Sequence, residues 1–239
     1  MSDKLLLRIT AIDVFYASLQ VLWQVSLEVN SGEMVAIVGA NGAGKTTLLK
    51  TISGILHPTR GSIEFAEKGI THLNAYDIVD LGISHVPEGR RLFPEMTVLE
   101  NLVIGSYSRK ARAKREENLA KVYELFPILA ERKDQLAKTL SGGQQQMVAI
   151  ARGLMANPRM IIIDEMSLGL SPLIVDELFR VLHEIKARGI TVLLVEQNVW
   201  RTLHEADSAY VIETGRIVLG GNAHDLMEEE KVRNAYFGV

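Results

Sequence analysis

The sequence predicts an α/β fold on a mainly parallel sheet with a helical insertion, and three observations carry that prediction. Short, wholly apolar runs such as "MIIID" and "ITVLLV" have the composition of strands buried on both faces, as parallel strands are. Such runs alternate with amphipathic helical stretches in both halves of the chain. Between about residues 97 and 155 the apolar period is helical, so this stretch reads as an insert.

Local signals justify each element in turn. "LLLRITAIDVFY" and "SLEVNSGEMVAIVG" read as strands, with Ser31–Gly32 as a turn between apolar runs. "GKTTLLKTISGIL" reads as a helix that closes near Gly54 and is stopped by His57–Pro58. "RGSIEFAEKGI" returns to strand character. In "TVLE", Thr97 and Glu100 have the spacing of a capping box, and helical character continues from there through "LAKVYELFPILAERKDQL". A second box, Ser141 with Gln144, opens "QQQMVAIARGLMA", where Met147, Ile150, Ala151 and Leu154 share a face. "SPLIVDELFRVLHEIKARG" has Ser171 as N-cap, Pro172 at the first helical position and Gly189 at the end. "ITVLLV" follows as a strand, "AYVIETGRIVLGG" as a hairpin turning at Thr214–Gly215, and a last short helix starts near Ala223. Residues 109 to 115, "RKARAKR", hold five basic side chains in seven. Because "EE" follows at once, this reads as a solvated helix face, with Arg112 pairing with Glu116 one turn on, rather than as a phosphate-binding patch.

Bulk properties exclude several classes. A chain of 239 residues with 47% hydrophobic and 23% charged residues can bury a full core, as one large domain or two small ones. The net charge of -3 gives no electrostatic reason to expect nucleic acid or an anionic membrane surface. There is no cysteine, so disulfides and thiolate metal sites are excluded. The start lacks the apolar run of a signal peptide, and no window approaches the ~18 apolar residues of a spanning helix. A chain soluble by itself is expected, with any membrane role arising through a partner.

Chemistry enters with "GANGAGKTT". Gly39, Ala40, Asn41, Gly42, Ala43, Gly44, Lys45 and Thr46 form a G-x-x-x-x-G-K-T loop between a strand and a helix, with Thr47 next. The glycines let backbone N–H groups turn inward around phosphate oxygens, and the helix start adds its positive end. Lys45 can reach the β- and γ-phosphates, and the Thr46 hydroxyl can ligate Mg²⁺. "RMIIIDE" carries Asp164 and Glu165 to a strand's carboxyl end, where Asp164 can hold Mg²⁺ through water and Glu165 can orient or deprotonate the attacking water. The expected ligand is a nucleoside triphosphate with magnesium. Gln197, at the end of "ITVLLVEQ", ends another strand of the same sheet and is a candidate for the γ-phosphate side.

"LSGGQQQ", Leu140 to Gln146, precedes the Asp-Glu strand by about twenty residues and matches the signature of the ABC (ATP-binding cassette) ATPases. With the phosphate loop before it and the switch residue after, the chain resembles that family over nearly its whole length. The resemblance implies a P-loop ATPase core with a mainly parallel sheet, an N-terminal antiparallel β subdomain and a helical subdomain at about 97–155, all one nucleotide-binding domain of residues 1–239. It also implies a head-to-tail dimer holding two ATP molecules, each facing the other subunit's Ser141, Gly142, Gly143 and Gln144. Tyr16 matches the aromatic that stacks on adenine; the alternative for it is a strand aromatic in the core.

Departures from the family pattern narrow the resemblance. Glu88, in "HVPEGRRLFP", stands where a glutamine is usual, and Met166 and Ser171, in "MSLGLSP", stand at proline and aspartate positions. Gln197 replaces the switch histidine. Together "VPEGRR…FP", "SLGLSP" and "LLVEQN", with the ending "VRNAYFGV", resemble one of the two ATP-binding subunits of branched-chain amino-acid importers; Met166 departs even from these. That implies a subunit at the cytoplasmic face of the inner membrane, docked on integral permeases, served indirectly by an external binding protein and paired with a sister ATPase or a second copy. Glutamine can donate a hydrogen bond but cannot relay a proton, so Gln197 is expected to orient and Glu165 to act as base; the alternative for Gln197 is a strand-end polar residue facing water. Glu88 is read either as a ligand approaching Mg²⁺, as a coupling-loop residue, or as part of a plain turn with Pro87 second and Gly89 fourth. Competing readings are an importer ATPase for urea or amides, a cytosolic ABC ATPase without transport, and a regulatory nucleotide-binding subunit.

Overall fold

The computed structural model describes residues 4–234. The end of "VRNAYFGV", from Ala235 on, lies outside the described residues. The chain forms two compact units, one running from the start through Ile78 and again from Thr191, the other Val79–Ile190.

The first unit opens with β1 (Leu5–Tyr16) and β2 (Leu19–Asn30), then β3 (Met34–Val38), α1 (Lys45–Ile52), β4 (Arg60–Phe65), β5 (Lys68–Gly69) and α2 (Ala75–Leu81), within which the boundary falls. An antiparallel sheet takes the order β2-β1-β4-β5, as expected for the N-terminal part. Alternation decides its faces. Leu7, Ile9, Ile12 and Val14 of β1 are buried, while Arg8 pairs on the outer face with Glu28, opposite it on β2, at 2.9 Å.

The second unit contains β6 (Ile83–Val86), α3 (Val98–Gly105), α4 (Arg109–Ala113), α5 (Arg115–Leu125), α6 (Pro127–Glu131), α7 (Gly142–Leu154), β7 (Met160–Asp164) and α8 (Pro172–Ala187). β6 and β7 are parallel, with Ile83 beside Met160 and Val86 beside Ile163. Both expected capping boxes are present: Thr97 with Glu100 on α3, and Ser141 with Gln144 on α7.

The first unit resumes with β8 (Thr191–Val195), α9 (Val199–Glu205), β9 (Ser208–Glu213), β10 (Arg216–Asn222), α10 (Ala223–Glu228) and α11 (Glu230–Val232). β3 lies between β8 and β9 and is parallel to both, with Ala36 beside Leu194 on one side and Ala209 on the other. All five residues of β3 and of β8 are buried, which accounts for their unbroken apolar runs. Val199 and Leu203 of α9 and Leu226 of α10 pack with Ala36, Val38 and Val211.

Two expectations need correction. Arg112 does not pair with Glu116; its guanidinium donates to the Tyr107 carbonyl at 3.2 Å. Lys114, at φ -112 and ψ 18, breaks the basic run into α4 and α5, so residues 112 and 116 are not one turn apart on one helix. Ser171 does stand at the N-cap of α8, but its side chain makes no capping hydrogen bond. Pro172 at the first helical position has no N–H to satisfy, and its fixed φ suits the helix start.

Candidate functional site

The phosphate loop runs from the end of β3 to the start of α1. Gly39 follows Val38, and a Cβ there would run into the Ile212 carbonyl oxygen of β9. Only glycine lets the loop pass that close. Gly44 takes φ 108 at the N-cap of α1, a left-handed conformation that disfavours any side chain. It gives the helix no side-chain cap, so no N-cap side chain competes with an anion at this end. Lys45 is 5% exposed, and its ammonium donates to the Gly39 and Ala40 carbonyls at 2.8 and 3.0 Å. The cation is thereby held against the loop it would serve, while Asn41 and Gly42 at the tip are exposed, Ala43 and Thr47 are buried and Thr46 is half-buried.

Other candidates of the first unit lie at strand ends. Tyr16 closes β1 and is 42% exposed, which removes the alternative of a core aromatic. After β8, Glu196 is buried at 1% exposure and Gln197 is exposed, so the glutamine and not the glutamate reaches solvent.

In the second unit, Asp164 is the last residue of β7 and is 1% exposed. Glu165 follows at φ 50, a left-handed backbone for a non-glycine residue. Strain of this kind persists where the surroundings over-determine a position, and it clusters at functional turns. Met166, at the family's proline position, is buried, so side-chain packing anchors that loop. Glu88 is exposed beyond β6. Its turn centres on Glu88 and Gly89, with Gly89 at φ 77, one residue later than the register read from the sequence.

The signature forms the start of α7. The Ser141 hydroxyl accepts from the Gln144 N–H at 3.3 Å, and the Gln144 side chain accepts from the Ser141 N–H at 3.1 Å. Helix geometry leaves the N–H groups of Gly142 and Gly143 without an intrahelical acceptor, which makes this tip, with Ser141 exposed, Gly142 half-buried and Gly143 buried, an anion site in form. Sequence reasoning assigned no role to the residues that hold the tip. Arg90, in the Glu88 loop, donates to the Gln145 side chain at 3.0 Å, and its carbonyl accepts from Arg152 at 3.0 Å. Arg152 also lies over the Phe93 ring at 5.8 Å, and burial pulls its guanidinium below the ordinary value. The loop "PEGRRLF" and the signature helix are therefore one braced assembly. The unassigned first arginine of "GRR" and the middle glutamine of "QQQ" were the available signals, and neither has a characteristic spacing.

Among the described residues no cluster of three or more His, Cys, Asp or Glu is placed to hold a metal ion. Magnesium that arrives with a triphosphate needs only one or two protein oxygens beside the phosphates, and in the first unit the Thr46 hydroxyl is an oxygen of that kind. No helix among the described residues is long and apolar enough to cross a membrane.

Comparison with known proteins agrees with this reading. The family model for ABC transporters matches residues 22–167. BraG of Pseudomonas aeruginosa, a high-affinity branched-chain amino acid transport ATP-binding protein, is 44% identical over 95% of this chain and 97% of its own. LptB of Haemophilus influenzae, a lipopolysaccharide export system ATP-binding protein, is 35% identical over 93% of each chain. Among solved structures, an ATP-binding cassette of an ABC transporter in its ADP conformation superposes with a TM-score of 0.85 at 33% identity, covering 98% of this chain and 99% of that one. A glycine-lined phosphate loop, a capped signature helix and a matching family model over more than half the sequence thus lead to one conclusion: the chain belongs to the ABC transporter family and is an ATP-binding cassette ATPase.

Proposed function

We propose that this cassette energises the import of branched-chain amino acids, acting at the cytoplasmic face of the inner membrane on permease subunits that an external binding protein serves. One observation carries the reading: 44% identity across 95% of the chain with a protein named for that transport. Glu88, Ser171 and Gln197, three of the four departures from the general cassette pattern, support the same subgroup, while Met166 departs from that subgroup as well.

The residues divide the work as follows. The amides of Gly39 to Thr47 and the Lys45 ammonium bind the phosphates, and Tyr16 stacks on the adenine. Thr46 and Asp164 would hold Mg²⁺, which when bound would screen the charge that develops on the transferred phosphoryl group. Glu165 accepts a proton from the attacking water, and Gln197 orients that water or the γ-phosphate by an amide hydrogen bond. Glu88 stands beside the metal or in the loop that couples to the permease. Ser141, Gly142, Gly143 and Gln144 face the γ-phosphate bound to a second subunit, either a sister cassette or another copy. Support for that pairing is the start of α7, exposed at its N-cap Ser141, where the first helical N–H groups have no intrahelical acceptor.

Reconstitution tests the proposal. The chain is co-expressed with candidate permeases and a second cassette and placed in proteoliposomes with a candidate binding protein. ATP-dependent uptake of leucine, isoleucine and valine is expected, and Lys45→Ala should abolish it. Uptake of urea or an amide instead would replace the substrate. ATP-dependent release of lipopolysaccharide without amino-acid uptake, or failure to co-purify with any integral membrane protein, would overturn the importer reading.

A further inference from the structure

The hairpin between β9 and β10 touches the phosphate loop in a way the family motifs do not explain. Its two-residue turn has Thr214 at φ 45 and Gly215 at φ 76, the pair of positive angles of a type I′ turn. The Gly215 N–H donates to the Ala43 carbonyl inside the phosphate loop at 2.9 Å. In return the Gly215 carbonyl accepts from the Trp23 N–H of β2 at 2.8 Å. Arg216, next in the chain, lies over the Trp23 ring at 5.2 Å. A Cβ on Gly215 would strike the Val21 carbonyl, and a Cβ on Gly44 would come within 3.6 Å of the Gly215 Cα. The turn is wedged between β2 and the phosphate loop.

A trans peptide points its C=O and the following N–H in opposite directions. Pinning the Ala43 oxygen toward Gly215 therefore turns the Gly44 N–H away from the hairpin. We propose that the Thr214–Gly215 turn is a positioning element for nucleotide: the Gly215 N–H fixes the Ala43–Gly44 peptide so that the Gly44 N–H is aimed at phosphate before ligand arrives. This rests on the reading that residues 39–47 bind phosphate. Pre-aimed donors are effective because binding then costs no reorganisation. Linkage makes the effect reciprocal, so phosphate on the loop should tighten the turn and alter the surroundings of Trp23.

ADP binding to the purified chain provides the test. Gly215→Ala should weaken ADP by roughly tenfold or more, the loss expected from misaiming one hydrogen bond to a charged group. Gly32→Ala is the matched control: Gly32 has φ 82, an added Cβ there meets nothing within 4 Å, and it lies in the turn before β3. It imposes similar backbone strain without the link to Ala43, and its ADP affinity should stay within about twofold of wild type. Trp23 and Trp200 are the two tryptophans, so in Trp200→Phe the emission of Trp23 should shift on adding ADP and should not shift when Gly215→Ala is added. If Gly215→Ala does not fold, hydrogen exchange on the unaltered chain decides, with the peptide covering residues 213–216 expected to gain protection in ADP. Lys45→Ala separates the two levels of the argument. Unchanged ADP affinity in Lys45→Ala would remove the phosphate-loop reading itself. Loss in Lys45→Ala with unchanged affinity in Gly215→Ala, or no gain in protection at 213–216, would overturn the positioning role alone.

Discussion

Gly143 of the signature is a residue whose requirement has two separable causes, and substitution can tell them apart. A Cβ built on Gly143 lies 2.8 Å from Ile174 Cγ2, 3.3 Å from Cγ1 and 3.4 Å from Cδ1. The first distance is shorter than real Cβ contacts allow, and Cγ2 sits on a β-branched carbon with little freedom to turn. Overpacking of this kind costs about 1–3 kcal/mol. Replacing glycine by alanine in a helix returns up to about 1 kcal/mol, less at a first turn. Gly143→Ala should therefore lose roughly 1–2 kcal/mol in urea unfolding. Ile174→Ala removes all three crowding carbons and, at a half-buried site, should itself cost about 1–2 kcal/mol. The double variant should recover at least about 1 kcal/mol of the sum, because the two changes share one contact. ATPase activity, measured with the partner cassette, then divides the causes. Restored stability with activity still lost places the need for glycine at the ligand; restoration of both places it at Ile174. Gly143→Ala as stable as wild type, with additive effects in the double variant, would refute the packing argument.

Three further outcomes are expected. Glu165→Gln should nearly abolish hydrolysis while trapping ATP, and Gln197→Ala should only slow it; single-turnover ATPase assays with the assembled complex distinguish them, and full activity in Glu165→Gln would remove the base assignment. Asn101 is fully buried, accepts from the Phe93 N–H at 2.9 Å and donates to the Phe93 and Thr97 carbonyls at 3.0 and 2.9 Å, so Asn101→Ala should cost about 2–3 kcal/mol in chemical denaturation by leaving those groups unpaired. Tyr210 exchanges hydrogen bonds with both backbone groups of Glu28, and burial pushes its phenol above the ordinary value, with the Glu28 and Glu33 carboxylates adding to the rise. A raised folded value means that this contribution is complete below the unfolded value near 10 and disappears as pH rises through the folded value. Tyr210→Phe should lose about 1 kcal/mol at neutral pH and show a flatter alkaline limb in pH-dependent thermal unfolding; an unchanged alkaline limb would exclude Tyr210 as its source.

Much of the site was legible because its signals are local. Lys45 and Thr46 follow a glycine loop at a fixed offset, and Ser141 with Gln144 satisfies a helix start within four residues, so neither needs knowledge of the rest of the fold. Arg90 was not legible. Its partner Gln145 is 55 residues away, and nothing in "GRR" distinguishes an arginine that braces a helix from one in water. The Arg112 expectation failed for a related reason: a helical period does not reveal that Lys114 interrupts it.

By itself, then, the amino-acid order determined most of the strands, though not β6, together with both capping boxes, the glycine loop and the acidic strand end, because burial period, turn chemistry and capping are settled within a few neighbouring residues. Tertiary structure alone decided why Gly39 must lack a side chain, since the obstacle is the carbonyl of Ile212 on β9. It alone decided that Gly215 reaches Ala43, that Gly143 faces Ile174, and that Tyr16 stands in the open and not in the core. Those contacts join surfaces far apart in the chain, and close packing enforces them only once the elements have come together.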